Sequence, residues 1–578
     1  MADAHIDSLA VPSAVAIRDA FLDYNAKFSE VTKKAKQRFE QRDWAGSRDD
    51  ANARIELYDQ CVADISDKLS DRMADQSNNA ILWQGIRQAY GNLISPLLDR
   101  ELFKTFFNTL TRRFFKTRGV NADIEFIALT IEPTDSITHP VARHNYVLSE
   151  SLPSLFERVL ADYPFAAPYQ DAKACAKKIA DTLQTRFDQW PEPAVLAVEL
   201  LDTVFYRERR AYLVGRILGR ENYAPCILAL VNEENGIRVD AVITSRQHAA
   251  VLFGYTHSYF HADLPTVGDA VVFLRTLLPG KPIDEIYTVL GRAKQGKTER
   301  YRHFFRYLGE HPEQNCTHAD GERGMVMAVF TLPGYPLVFK LIRDKFAFLK
   351  NIAREQVLEK YHLVFKHDRA GRLVDAQEFK RVRFPKRRFA DDLLHELLTE
   401  TADTVHVEGD DLVIDHIYVE RRLTPLNMFV RSAPREQCAL AVIEYGQAIR
   451  DLAYTNIFAG DLLLKNFGVT RNGRVIFYDY DELCRVTDCR FRELPEASND
   501  EDEMRAESWF YVADNDVFPE TFINFLGFDP ELRQVFLDHH ADILDADWWR
   551  QLQKRLGSGE VVEVLPYHRH RVRVASSL

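Results

Sequence analysis

Gly460-Asp461-Leu462-Leu463-Leu464-Lys465-Asn466, continued by Phe467 to Phe477 and then Asp479-Tyr480-Asp481, is the stretch on which the fold turns. Asp461 precedes Asn466 by five positions. Between Asn466 and Asp479 two short apolar runs flank Arg471-Asn472-Gly473, and an Asn-Gly pair is a strong tight-hairpin signal. Phosphoryl transfer needs a carboxylate aimed at the attacking hydroxyl and hard oxygen ligands that hold a divalent cation against the phosphates. Asp461 fits the first role, and Asn466 and Asp479 fit the second. Each residue singly reads as part of an Asp-rich surface loop; their order, with a hairpin between them, is what carries information.

Protein kinases have this order. Their catalytic-loop Asp stands five residues before a metal-binding Asn, and a second metal-binding Asp follows a short hairpin. Working outward, Ala319-Asp320-Gly321-Glu322-Arg323-Gly324-Met325 leads into an apolar run and Lys340 sits in the next one. That order suits a loop over nucleotide phosphates, with glycine permitting close backbone approach, followed by a phosphate-pairing lysine. Gly321-x-x-Gly324 is less than a full glycine-rich motif, so position along the chain is its support. Glu355 or Glu359 in the following helical pattern could pair Lys340. Glu420-Arg421-Arg422-Leu423 falls where the segment between two lobes offers its backbone to adenine, so Glu420 and Leu423 are candidate nucleotide contacts.

The periodicity around these residues predicts strands over Met325 to Leu332, Leu337 to Ile342 and Phe379 to Phe384 and a hairpin over Val405 to Ile414. Helical patterns run from Lys345 to His367 and from Leu426 through Ile449. Residues 14–311 read as mostly helical, including Glu199 through Leu218, with strand-like patches at Ala224 to Val231 and Arg238 to Thr244. The polar stretch His311 to Asn315 reads as a linker. The fold class is therefore α+β: a mostly helical N-terminal regulatory domain over 1–312, then a bilobal protein-kinase-like catalytic domain over 313–578.

The net charge of −12 argues against a nucleic-acid binder. The run Tyr567-His568-Arg569-His570-Arg571 reads as a solvated tail. Seven scattered cysteines without a CxxC pair indicate neither a disulfide framework nor a zinc site. No signal-peptide pattern or membrane-length apolar run is present, so a cytoplasmic, membrane-free protein is expected.

Several segments together resemble the bifunctional isocitrate dehydrogenase kinase/phosphatases of bacteria with a glyoxylate bypass. They are Gln37-Arg38-Phe39-Glu40, Val204-Phe205-Tyr206-Arg207, the loop Ala319 to Met325 with Lys340, Phe330-Thr331-Leu332-Pro333, Ile457 to Asp461 and Phe477 to Glu482. The resemblance implies reversible phosphorylation of a serine on isocitrate dehydrogenase as protein substrate, ATP and ADP with Mg2+ or Mn2+ at one site for both directions, and AMP as an allosteric effector. A homodimer is admitted. It also implies an active-site role for Asp375 in the phosphatase direction, where the residue alone reads as a helix-terminal Asp. Relative to ordinary kinases, Ala459-Gly460 replaces the His-Arg before the catalytic Asp and Asp481 replaces the last glycine of the DFG motif. Asp481 is thus a candidate for orienting water or phosphoserine in the reverse transfer.

Other motifs compete. Gly291 to Thr298 satisfies the P-loop pattern GxxxxGK[ST], with Glu285 to Leu290 as its strand, which would make the protein a P-loop ATPase. Asp479-Tyr480-Asp481 mimics an aspartyl-phosphatase nucleophile, but too little chain follows to build that fold. Cys484 and Arg490 have C-x5-R spacing without the glycines of a phosphate loop. A pseudokinase-type binding scaffold is the non-enzymatic alternative, countered by the presence of Lys340, Asp461, Asn466 and Asp479.

Overall fold

The computed structural model describes residues 2–127, 141–187, 195–254, 259–346, 353–367, 369–495, 510–565 and 567. The chain divides into two compact units: Met1–Glu313 with Lys380–Phe384 and Tyr567–Leu578, and Gln314–Phe379 with Pro385–Pro566.

The first unit opens on two long helices, Ala2–Gln41 and Trp44–Met73. Asp43 caps the second by accepting from Gly46 N at 2.9 Å while also pairing Arg38, so the reversal between the helices is fixed by one carboxylate. Helices Ala80–Ile94 and Arg100–Phe115 complete an aromatic core in which Phe21, Trp83, Phe103, Phe106 and Phe107 are buried. An antiparallel sheet follows in the order Arg143–Val147, Ala197–Leu201, Arg210–Leu218, Tyr223–Glu233, Gly236–Ile243, and Phe205–Arg207 pairs with Arg210–Leu218.

The expected helix over Glu199 through Leu218 is therefore three strands. Its side chains alternate between two apolar cores: Leu201, Tyr212 and Val214 enter one, and Val198, Leu200, Ala211, Leu213 and Ile217 enter the other. With both faces covered, the polar/apolar alternation that marks a half-exposed strand is absent. Gly215 marks the tightest crossing, since a Cβ there would meet Glu199 O at 1.9 Å.

The P-loop reading also fails on structure. Residues Ile283–Val289 form a helix, not a strand, and Ala293–Glu310 is a second helix packed on it. Gly296 serves that packing: a Cβ would lie 2.3 Å from Thr288 Oγ1 and 2.5 Å from Asp284 O. Tyr567, read as the start of a solvated tail, is 5% exposed. Its hydroxyl bonds Asp240 and accepts from Arg210 Nε at 2.9 Å, and Arg210 pairs Asp240 at 3.0 Å. A buried Arg–Asp pair needs further polar partners to offset its desolvation, and the phenol supplies one. Residues 568–571 lie outside the described residues.

The second unit begins with antiparallel strands. Thr317–His318, Met327–Thr331, Leu337–Ile342 and Asp411–Arg421 lie side by side, and Val405–Glu408 forms a hairpin with Asp411–Arg421 through Gly409 at φ +62°. Helix Arg354–His367 lays Tyr361 on Tyr418, with ring centroids 3.8 Å apart and planes 11° apart; residues 347–352 of the expected longer helix lie outside the described residues. Helices Leu426–Ser432 and Arg435–Tyr454 then begin the C-terminal lobe. Its polar centre is Arg372, which bonds Asp451 and Glu444 at 2.7 Å each and Val475 O at 3.0 Å. Burial opposes the charge of Arg372, but the two carboxylates outweigh it and hold its pKa above the ordinary value.

Candidate active site

Asp461 lies in the loop after Ile457 and Phe458. Gly460 has φ +77°, and a Cβ there would meet Glu482 O at 2.3 Å, so this position requires glycine in both conformation and space. The close approach leaves no room at position 460 for the Arg that ordinary kinases carry there. It also brings the turn after Asp479, with Asp481 in it, against the catalytic loop. Phe458 and Cys484 exchange backbone hydrogen bonds at 2.8 and 3.0 Å across the same junction. Asp461 Oδ1 accepts from Leu463 N at 2.9 Å, which orients the half-buried carboxylate.

Asn466 is 3% exposed and donates through Nδ2 to Asp461 O at 3.4 Å, leaving Oδ1 as an acceptor. Strands Phe467–Val469 and Val475–Phe477 pair in the register Phe467↔Phe477, with Gly473 at φ +75° in the turn. Tyr478 N donates to Asn466 O at 3.0 Å. Asp479 is thereby set beside Asn466 by backbone bonds one residue away. Leu423, in the segment between the lobes, packs onto Gly468 of the same hairpin; a Cβ on Gly468 would lie 2.5 Å from Leu423 Cβ.

Lys340 reaches this place from the sheet. Its Nζ pairs Glu420 Oε2 at 2.7 Å and donates to Tyr478 O at 2.7 Å. The carboxylate partner is thus a cross-strand neighbour, whereas Glu355 and Glu359 are exposed on their helix. Sequence reasoning looked for a helical glutamate and missed it. The available signal was a carboxylate inside the apolar strand Ile417 to Arg421, because a buried charge needs a partner. Glu420 is 1% exposed and Lys340 7%.

Asp375 joins the site through the backbone. Val374 N donates to Phe477 O at 3.1 Å, Phe477 N to Arg372 O at 2.8 Å, and Tyr480 OH to Val374 O at 2.7 Å. Two residues before Asp479 and one after it are therefore tied to the residues preceding Asp375, whose carboxylate accepts from Gln377 Nε2 at 3.0 Å. Nothing in the spacing of the sequence joins these segments.

The loop Ala319 to Met325 is exposed after Ala319, whose N bonds Val329 O at 3.2 Å. Glu322 pairs Lys465 of the catalytic loop at 3.1 Å, while Arg323 turns away to Glu396 at 2.6 Å. Gly324 fits closely under Met327 O, 2.9 Å from where a Cβ would sit. Asp320, Gly321 and Met325 are solvent-facing.

The site concentrates negative charge. Burial first, then the carboxylates of Asp479, Glu420 and Glu322, hold the Tyr478 hydroxyl above its ordinary pKa; burial followed by Glu420 does the same to Tyr361. Asn466 Oδ1 and the Asp479 carboxylate are hard oxygen donors, the type that suits Mg2+ or Mn2+. Among the described residues no group of three or more His, Cys, Asp and Glu side chains could hold a metal ion by itself. Two protein ligands are the usual complement where phosphates and water fill the remaining positions.

Family comparison decides between an ordinary kinase and a specialised one. Residues 314–569 match the isocitrate dehydrogenase kinase/phosphatase (AceK) kinase domain, and residues 14–312 match the regulatory domain of the same family. The chain belongs to the isocitrate dehydrogenase kinase/phosphatase family. It is 54% identical over 563 residues to the isocitrate dehydrogenase kinase/phosphatase of Xanthomonas euvesicatoria pv. vesicatoria (strain 85-10), covering 97% of both chains. It is 43% identical over 563 residues to that of Anaeromyxobacter sp. (strain Fw109-5), again over 97% of both. The kinase/phosphatase assignment agrees with the joined positions of Lys340, Asp461, Asn466 and Asp479 and disfavours the P-loop and scaffold alternatives. Among the described residues no helix is long and apolar enough to cross a membrane.

Proposed function

We propose that this cleft phosphorylates and dephosphorylates a serine on isocitrate dehydrogenase, governing flux between the tricarboxylic acid cycle and the glyoxylate bypass. The observation that carries the single-site reading is the backbone tie between Val374, Phe477 and Tyr480. It joins the residue associated with dephosphorylation, Asp375, to the metal-ligand strand of the kinase constellation.

In this reading Lys340, fixed by Glu420, positions the phosphates of ATP or ADP. Loop residues Ala319 to Met325 cover them, and Glu420 to Leu423 flank the adenine. Asn466 and Asp479 would hold Mg2+ or Mn2+, which would supply charge neutralisation on the transferring phosphoryl group. Asp461 accepts the proton of the attacking serine hydroxyl. For the reverse direction Asp375 and Asp481 orient water at the phosphoserine. The substrate is a folded protein in the cytoplasm, AMP is the allosteric effector, and the catalytic domain spans 313–578 after a regulatory domain of 1–312.

Incubation of the purified protein with isocitrate dehydrogenase, ATP and Mg2+ should add one phosphate to a serine of the dehydrogenase, read by mass. Adding ADP to the phosphorylated product should remove it. ATP hydrolysis without phosphate on the dehydrogenase would leave the kinase fold and remove the substrate assignment.

A further inference from the structure

Cys484 and Cys489 stand outside the catalytic constellation, yet both lie just past Asp479–Asp481. Their sulfurs are 3.5 Å apart in an S–H···S contact, and both residues are half-buried. Cys489 lines an open depression of about 800 Å3 together with Thr487, Arg550, Gln553 and Lys554, so small solutes approach the pair from the Cys489 side. A disulfide needs a sulfur separation near 2.05 Å, hence a closure of about 1.5 Å.

That closure has consequences for the catalytic loop. Between the two cysteines lies the single turn Val486–Asp488, whose polar contacts run to Asn456: Val486 N bonds Asn456 O at 3.4 Å, Thr487 N bonds Asn456 Oδ1 at 3.0 Å, and Asn456 Nδ2 bonds Thr487 Oγ1 at 3.2 Å. Asn456 holds φ +64°, and Cys484 itself pairs Phe458, three residues ahead of Asp461. From the other side Gln553 Nε2 bonds both Val486 O and Cys489 O at 2.7 Å. The turn is therefore clamped between the catalytic loop and helix Ala546–Gly557, and a shift of one cysteine towards the other is transmitted to Asn456–Phe458.

We propose that Cys484 and Cys489 are a dithiol modification site, oxidised by a hydroperoxide to a reversible disulfide that displaces the catalytic loop. Cys484 is the attacking group. The hydrogen bond from Cys489 lowers the Cys484 thiol pKa below its ordinary value, with Lys360 assisting and burial and Asp488 opposing; the same contact, then burial, pushes Cys489 up. The Cys484 thiolate attacks one oxygen of hydrogen peroxide, the O–O bond breaks, and sulfenic acid and water form. The Cys489 sulfur then attacks the sulfenic sulfur, the S–O bond breaks, and its thiol proton leaves with the hydroxyl as a second water. Two thiols are oxidised and one peroxide is reduced to two waters. A thiol reductant reverses the step by exchange.

The effect on activity rests on Asp461 being the catalytic carboxylate, whereas the modification itself does not. The full-length protein, titrated with hydrogen peroxide, should lose two hydrogen atoms in mass, with a Cys484–Cys489 cross-link found by peptide mapping. Amide hydrogen exchange over Asn456–Asp461 should change in the oxidised form, independently of any catalytic assay. Phosphate transfer should fall about ten-fold, since misplacement by about 1 Å costs up to roughly 100-fold. Dithiothreitol should restore all three readouts. Cys489→Ser should keep the reduced-state activity and lose the peroxide response. A cross-link to other cysteines, or none at peroxide levels that oxidise the half-buried Cys61, overturns the site. A Cys484–Cys489 disulfide with unchanged exchange over Asn456–Asp461 overturns its coupling to the loop.

Discussion

At the level of single residues, the decisive contact is Lys340 with Glu420, and it makes a prediction that separates stability from chemistry. Lys340→Met leaves the 1% exposed Glu420 carboxylate without its 2.7 Å ammonium partner. Breaking one side of a buried pair costs about 3–5 kcal/mol, whereas replacing both partners by apolar groups is often neutral. Chemical unfolding should therefore show Lys340→Met strongly destabilised and the double variant Lys340→Met/Glu420→Met largely recovered, with neither transferring phosphate. Equal stability of the single and double variants would show that the pair is not coupled. If Asp479 is one of the two proposed metal ligands, Asp479→Asn should lower both directions by at least about 100-fold, read by phosphate on the dehydrogenase. Asp375→Ala is the asymmetric case: the family resemblance assigns Asp375 to the phosphatase direction, so dephosphorylation should fall well below phosphorylation in parallel assays. The sequence singles out Asp461, Asn466, Asp479 and Lys340 because phosphoryl transfer dictates residue types at fixed local spacing. Glu420 as the lysine's partner was not, since a cross-strand contact has no sequence period. Asp375 entered through family resemblance alone.

Elements tell a similar story with different physics. The strand Leu337–Ile342 and the hairpin Phe467–Phe477 were readable because turn residues bracket them on both sides. The strands Ala197–Leu201 and Arg210–Leu218 were not, because two cores cover both faces and leave a continuous apolar run that a helical spacing also fits. In the C-terminal lobe, helix Arg435–Tyr454 carries a packing constraint that sequence reading passed over. A Cβ on Gly446 would fall 2.1 Å from His540 Cδ2, so Gly446→Ala should cost at least about 1–3 kcal/mol in chemical unfolding. His540 itself is 4% exposed, with its ring on Ile443 O at 2.9 Å. Burial lowers its pKa to about 4; the bond to Ile443 O opposes this, Arg450 and His539 reinforce it, and Asp542 opposes it weakly. The depressed native pKa means that the unfolded chain binds more protons between about pH 4 and pH 6.5. The His540 contribution is then intact above about pH 6.5 and is lost as pH falls towards 4, by on the order of 3 kcal/mol. His540→Gln, which retains a donor for Ile443 O, should flatten that part of the stability profile; an unchanged slope would assign it to other groups.

On the scale of the whole molecule, the two compact units and the two family matches change over at the same place, Glu313 to Gln314 in the structure and 312 to 314 in the comparisons. The sequence reading puts a linker at His311 to Asn315 from its polarity and the change of period after it, and the hydrogen bonds around it bear on where the chain can be cut. Cys316 is fully buried, with its N on Arg388 O at 2.7 Å and its O accepting from Ala390 N at 3.0 Å, and Thr317–His318 is already paired to Met327–Thr331. Gln314 O accepts from Arg388 Nε at 3.0 Å and Nη2 at 2.7 Å. Upstream, helix Ala293–Glu310 runs unbroken to its cap at His311. Between them Pro312, Glu313 and Asn315 are exposed, and Glu313 meets His311 Nδ1 at 3.3 Å. Proteases cut locally unfolded chain, so cleavage tracks the least protected backbone rather than exposure alone. Limited digestion with a glutamate-specific protease should first cut after Glu310 or Glu313, giving fragments whose masses place the nick before Gln314. Magnesium with ATP should protect the C-terminal fragment against further digestion and leave the N-terminal fragment's decay unchanged. First cleavage within Cys316–His318, or near residue 200 or 400, would show that the backbone ties at Arg388 and Ala390 do not mark the edge of the second unit.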